Sequence, residues 1–221
     1  MRKSIVIVAT VVIIWILAGV LGFTGYAGVR YISMLEEQNQ MLYQSNVVPL
    51  AAIDQAEILY LDQQLELRDM FLTKDDAAHK KSIEFIRAMD RNIAQDLQRY
   101  QGGIHSSEEK DKFQALENNL DKDKATRDKI IALLEANQNQ QAMTLFVSYQ
   151  TQVSHNQYAF DVLQEIKAIQ AKSRNADNTV SANKASSLLM SVITISLLLG
   201  MVGASLCLFL ILRGRLTEHK S

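Results

Sequence analysis

"YQSNVVPLAAID", residues 43–54, holds the only proline of the chain, and the residues on both sides of it read as helix. Proline lacks a backbone donor and its ring crowds the carbonyl four residues back, so a helix running through Pro49 must kink or restart. Ser45 and Asn46 are residue types that cap a restarted turn. Two readings of Pro49 stand side by side: a bend that fits one long helix to its partners, and a hinge separating ligand-driven motion above from a stalk below.

The helical reading extends in both directions. Between residues 29 and 199 the only glycines are Gly102 and Gly103, and no strand signal appears. Apolar residues recur at helical spacing in four segments. Ile58, Leu61, Leu65 and Leu72 mark the first; Ile83, Ile86, Met89, Ile93, Leu97 and Tyr100 the second. Phe113, Leu116, Leu120, Ile130 and Leu134 mark the third, and Leu145, Tyr149, Val162, Ile166 and Ile169 the fourth. One apolar stripe per helix predicts mutual burial. The breaks between them are Thr73-Lys74-Asp75-Asp76, the Gly102-Gly103 pair with Ser106-Ser107-Glu108-Glu109 as a capping box, and Asn137 to Gln141.

Two apolar stretches bracket the helices. Ser4 to Val29 has no charged residue, and Ala185 to Leu212 is a second uncharged run of 28. Each exceeds the roughly 20 residues that cross a hydrocarbon core. A cleaved signal peptide is the rival reading of the first, but its apolar part is too long and no Ala-x-Ala site follows it. Arg2 and Lys3 before the first span, and Arg213, Arg215 and Lys220 after the second, place both termini in the cytoplasm. The segment between, Phe23 to Ser186, carries 18 Lys and Arg against 23 Asp and Glu. Nothing in that negative balance suggests a nucleic-acid partner. Cys207, within the second span, is the single cysteine, so no disulfide supports the exported part.

Helix lengths constrain the assembly. Segments 30–73 and 142–186 span about 66 Å, but 76–102 and 106–136 only about 40 to 46 Å, so near the membrane one chain offers just two helices. The lower fourth helix, "AKSRNADNTVSANKASS" (171–187), is polar with small residues. A homodimer that buries a seam such as Ala171, Ala182 and Ala185 supplies the missing helices.

Neither catalysis nor a metal or cofactor is indicated. His105 with Glu108 and Glu109 lies in a loop and capping box, His79 and His155 have no partner spacing, and no phosphate loop or nucleophile motif occurs. Small residues four apart, Ala18 with Gly22 and Gly200 with Ala204, allow close helix approach in a bilayer and suit a helix that slides. Gly200 and Ala204, with Pro49, are therefore candidates for signal transmission.

Two spans around a four-helix segment, with "YQSNVVPLAAIDQAEILYLDQQLELRDMFL" at 43–72, resemble the sensory half of a methyl-accepting chemotaxis receptor. The resemblance covers nearly the whole chain. It implies an all-α protein, an antiparallel up-down-up-down four-helix bundle flanked by two transmembrane helices. The division is a cytoplasmic N-terminus (1–4), a first span (5–27), a periplasmic sensory bundle (28–186), a second span (187–212) and a cytoplasmic tail (213–221) in a bacterial inner membrane.

It further implies a homodimeric receptor that binds a small solute, an amino acid or organic acid, between subunits at the distal end. Arg68 with Gln64 on the first helix, and Tyr149, Gln150, Thr151 and Gln152 on the fourth, are the matching positions; arginine holds a carboxylate in a bidentate pair. The arginine cluster of the aspartate-sensing branch is not reproduced, which argues against aspartate. A periplasmic binding protein or a full-length receptor is an alternative partner. "Arg-Leu-Thr" at 215–217 looks like the opening of a HAMP linker, with Glu218 where that pattern reaches a proline, and no output domain follows. The chain then reads as a truncated or short receptor. The competing readings are a membrane-anchored helical spacer without a solute ligand, and the input module of a sensor kinase or diguanylate cyclase.

Overall fold

The computed structural model describes residues 2–73 and 75–218, with side chains at 11, 12, 14–16, 18–73, 75–205, 208 and 209. Among these residues every regular element is helical: α1 (Arg2–Leu42), a π-helical turn (Tyr43–Val47), α2 (Val48–Asp69), α3 (Asp76–Gln101), α4 (Ser107–Glu135) and α5 (Asn139–Glu218). Short connections join α2 to α3, α3 to α4 and α4 to α5, so successive helices run antiparallel.

The chain divides into two compact units, residues 40–175 and the paired segments 1–39 and 176–221. The first unit is the bundle. Its core draws on all four helices: Ile53, Ala56, Tyr60 and Leu67 from α2; Ile83, Ile86, Ile93 and Tyr100 from α3; Phe113, Leu116, Ile130 and Leu134 from α4; Tyr149, Val153, Phe160 and Leu163 from α5. Ring contacts lie along its axis, Tyr100 stacked on Phe113 at 5.4 Å, Tyr60 tilted on Phe160 at 5.7 Å and Phe71 tilted on Phe146 at 5.0 Å.

The stripes of α3 and α4 match the sequence expectation, that of α5 matches in Leu145, Tyr149 and Ile166, and that of α2 does not. Ile58, Leu65 and Leu72 are 52%, 47% and 80% exposed, so they form an outward face. The inner seam of α2 is Ile53, Ala56, Tyr60, Gln63, Leu67 and Met70. This helix carries apolar residues on two faces, and the inner one includes polar members that an apolar count passes over. In α5 the buried seam is Tyr149, Val153, Asn156, Phe160, Leu163 and Lys167, and Ile169 is exposed.

The helix ends follow local chemistry. Asp75 caps α3 by accepting from Ala77 N at 3.0 Å, and Ser106 caps α4 by accepting from Glu109 N at 3.1 Å. Between α4 and α5, Asn137 takes the left-handed conformation at φ 58°, which its short polar side chain tolerates. Gly102 is right-handed at φ −62°, so this glycine pair is not there for a left-handed turn.

Before Pro49 the expected cap is absent. The helix widens into the π turn, the Val48 N–H bonds to Tyr43 O, and Val47 offers no side-chain cap. Ser45 Oγ instead donates to Met41 O and Asn46 Nδ2 to Leu42 O. A π turn carries the extra residue that lets the proline ring avoid the preceding carbonyls.

In the second unit Trp15, Gly19 and Phe23 line one shallow apolar groove with Val192, Ile195 and Leu199. Its large apolar side chains are mostly exposed, Trp15 at 74% and Leu188 at 68% among them. Among the described residues one helix, α5, is long and apolar enough to cross a membrane. The expected first span, 5–27, falls in part on residues outside the described side chains, as do Arg2, Lys3, Cys207, Arg213, Arg215 and Lys220. A Cβ added at Gly22 meets nothing within 4 Å, so Ala18 and Gly22 mediate no close approach within the chain. Gly200 is half-buried and Ala204 exposed.

Candidate functional site

Halfway along the bundle the four apolar seams are interrupted at one level. Asp123 of α4, fully buried, accepts from Tyr60 Oη and Tyr149 Oη, each at 2.7 Å, and from Asn156 Nδ2 at 3.2 Å. Arg127, one turn on and 2% exposed, donates to Asp123 at 3.1 Å, to Gln63 Oε1 at 3.0 Å and to Asp90 of α3 at 2.5 Å. Gln63 closes the ring by donating to Ile86 O at 3.0 Å and Asp90 at 2.8 Å. Every helix of the bundle thus contributes to one network.

Charges explain why it persists in the core. A lone buried carboxylate is costly, and here one guanidinium faces two carboxylates, with Lys124 adding a longer contact to Asp90 at 3.9 Å. Burial pushes the Asp123 carboxyl above its ordinary value, against the pull of both tyrosines and Arg127. Burial also raises both tyrosine hydroxyls, and Asp123 reinforces the shift, so they remain protonated donors. Arg127 is driven further toward its charged form, because Asp90, Tyr149 and Asp123 outweigh its burial. Arg127 Nε and Asn156 Oδ1 are buried without a partner. Arg127 Nε is therefore a spare donor and Asn156 Oδ1 a spare acceptor.

The positions marked in the sequence fall partly on this cluster. Tyr149 is in it, and the Gln64 amide is buried beside the Tyr149 hydroxyl without a hydrogen bond of normal geometry. Arg68 lies one turn further along α2, 60% exposed and 3.8 Å from Asp69. It sits on the outward face with Leu65 and Leu72. On α5, Gln150 and Thr151 are exposed, and Gln152 Nε2 reaches Asn119 O of α4 at 3.4 Å. The structure thus brings Gln64 and Tyr149 together and leaves Arg68, Gln150, Thr151 and Gln152 outside that cluster.

A second buried network lies at the end of the bundle near Pro49. Lys167 and Glu109, both fully buried, pair at 2.7 Å. Glu109 also accepts from Tyr100 Oη at 2.9 Å, Gln170 Nε2 at 3.0 Å and His105 N at 3.3 Å. Glu109 is thus the residue three after the cap, but its carboxylate is occupied by Lys167 rather than by the Ser106 backbone. Burial alone would raise it; its partners together hold it below the ordinary carboxylate range. Burial pulls Lys167 below its ordinary value even against Glu109. Among the described residues no three His, Cys, Asp or Glu side chains gather as a metal site.

Asp90, Asp123, Arg127, Asn156 and Lys167 were missed as site residues, yet a signal existed. Leu116, Leu120, Asp123, Arg127, Ile130 and Leu134 keep the 3 and 4 spacing of one helix face, so the charged pair interrupts the stripe in register. The same holds for Lys167 after Phe160 and Leu163.

Residues 6–182 match the family model described as a four helix bundle sensory module for signal transduction. Neither the curated proteins nor the solved structures give a match.

Proposed function

Because this chain belongs to the family of four-helix-bundle sensory modules of methyl-accepting chemotaxis proteins, we propose that it is the input portion of a transmembrane receptor. It binds a small extracytoplasmic solute, an amino acid or organic acid, and passes a helix displacement across a bacterial inner membrane. Both termini lie in the cytoplasm and the bundle in the periplasm.

The observation that carries this reading is α5. One helix, Asn139–Glu218, supplies Tyr149 and Asn156 to the polar core and later runs through the apolar segment. Shifts of about 1 to 2 Å are a recognised switching mode for such a helix. Gly200 and Ala204 offer the smooth surface on which it would slide.

The outward face of α2 supports a homodimer. Ile58, Leu65 and Leu72 recur at seven-residue spacing and are 47% to 80% exposed, with Leu61 half-buried between them. Such a stripe in water calls for a partner helix. Ala171, Ala182 and Ala185, all half-buried, extend the proposed seam toward the membrane. Arg68 lies within the α2 stripe, so pairing would bring it to the subunit boundary. There Arg68 with Gln150, Thr151 and Gln152 forms the proposed ligand site, while Tyr149, buried and bonded to Asp123, and the buried Gln64 amide belong to the core cluster instead.

The test is thermal unfolding of the full chain in nanodiscs against amino acids, organic acids and aromatic acids. A ligand at about 100 times its Kd adds about 2.7 kcal/mol, a rise of several degrees in Tm. A shift abolished by Arg68→Ala supports direct sensing at this site. No shift with any compound, in a sample shown to be dimeric, favours a spacer or a receptor addressed by a binding protein.

A further inference from the structure

The break at Pro49 is matched by a side chain from the opposite end of the bundle sequence. Pro49 has no N–H to give to the Ser45 carbonyl four residues back. That carbonyl accepts from Lys167 Nζ of α5 at 3.4 Å. Lys167 also donates to the Gly103 carbonyl and to Gln170 Oε1, and lies 5.3 Å from the centre of the Tyr100 ring. One turn further along α5, Arg174 donates to Ser45 Oγ at 2.8 Å. The same helix therefore holds residue 45 twice, once by main chain and once by side chain.

The α3–α4 turn completes the arrangement. A Cβ on Gly103 would collide with the Pro49 ring and lie 3.0 Å from Ser45 O. Only glycine allows the turn to reach the break, and its carbonyl then faces Lys167. Glu109, at the start of α4, fixes the ammonium from the other side. Lys167 is fully buried, so an ammonium pulled away from these acceptors would be left without water to replace them.

We propose that Lys167 is a latch that sets the resting lengthwise register of α5 against the Pro49 break, with the Ser45 and Gly103 carbonyls and the Glu109 carboxylate as its keeper. Sliding α5 by a turn fraction must break these contacts together, so the helix has discrete rather than continuous positions. The latch rests on the signalling function proposed above. It biases output without touching the ligand site.

The test uses the full chain joined to the kinase-control domain of a chemotaxis receptor, read as basal kinase activity without ligand. Lys167→Met with Glu109→Gln removes both charges and keeps the volume, and Tm of each variant confirms that it folds. Pro49→Ala is the second variant: it leaves the ion pair in place but restores a main-chain N–H, which allows the π turn to return to α-helical pairing with Ser45 O as that donor's acceptor, in competition with Lys167.

Both variants are expected to move basal activity in the same direction by about fivefold or more, the lower range of coupling between sites. A change in the charge-free variant alone identifies a packing role for the ion pair and overturns the latch. So do unchanged activity in both and changes of opposite sign. If the unmutated fusion matches the kinase-control domain alone, the signalling function itself fails and the latch with it.

Discussion

The hydroxyls of Tyr60 and Tyr149, on α2 and α5, bond to opposite oxygens of one buried carboxylate, Asp123, each at 2.7 Å. A single acceptor on α4 thereby ties together two tyrosines that lie 89 residues apart in sequence. Asp123→Ala strands both hydroxyl donors and removes half of the Arg127 pairing, while the Asn156 amide keeps the Tyr60 hydroxyl as acceptor at 3.1 Å. Urea unfolding should show a loss of about 3 to 5 kcal/mol. Tyr60→Phe removes one bond and should cost about 1 to 2 kcal/mol. Equal effects of the two changes would show that Asp123 is not the hub whose remaining bonds add to the one made by Tyr60.

Gly103 and Gly102 should respond differently to the same change. Gly103→Ala drives a methyl group into the Pro49 ring and the Ser45 carbonyl, neither of which is a flexible side-chain end. It should lower stability by about 1 to 3 kcal/mol. Gly102→Ala meets only Arg99 O at 3.5 Å in a right-handed conformation. It should be neutral or stabilising by about 0.4 to 1 kcal/mol, as read from paired thermal melts.

Acid should loosen the Lys167 network through Glu109. Its folded pKa lies below the ordinary glutamate value of 4.5, so the unfolded chain takes up the proton first as pH falls. The pair's contribution is full above pH 4.5 and is lost as pH drops through the folded value. Unfolding measured between neutral pH and pH 3 should fall less steeply in Glu109→Gln. An unchanged slope would mean that folding does not shift the Glu109 pKa.

The outward α2 face separates assembly from folding. Leu65 is 47% exposed and lies outside the core cluster, so Leu65→Ser should change the monomer's stability by no more than about 0.5 kcal/mol. Cross-linking in nanodiscs should nevertheless show a reduced dimer fraction. An undiminished dimer would place the subunit contact elsewhere.

Much of this protein was legible without coordinates. Scarce glycine, a single proline and apolar residues three and four apart fix helices wherever the chain lies. The α3 and α4 seams could be named residue by residue, because each carries one dominant apolar face. The caps at Asp75 and Ser106 were readable for a similar reason: they act within a few residues of themselves.

Tertiary structure decided what depends on partners far away in sequence. Which of the two apolar faces of α2 turns inward is set by Asp90, Asp123 and Arg127, which need Tyr60 and Gln63 as partners in a dry core. Leu65 and Ile58 are then left outside. Glu109 is by sequence a capping residue, and only its meeting with Lys167, 58 positions on, makes it half of a buried ion pair. The question raised by Pro49 has the same kind of answer. Local chemistry dictates that the helix must depart from α-helical pairing before Pro49, but the Ser45 carbonyl meets a donor on α5, and no local pattern can specify a partner 122 residues away.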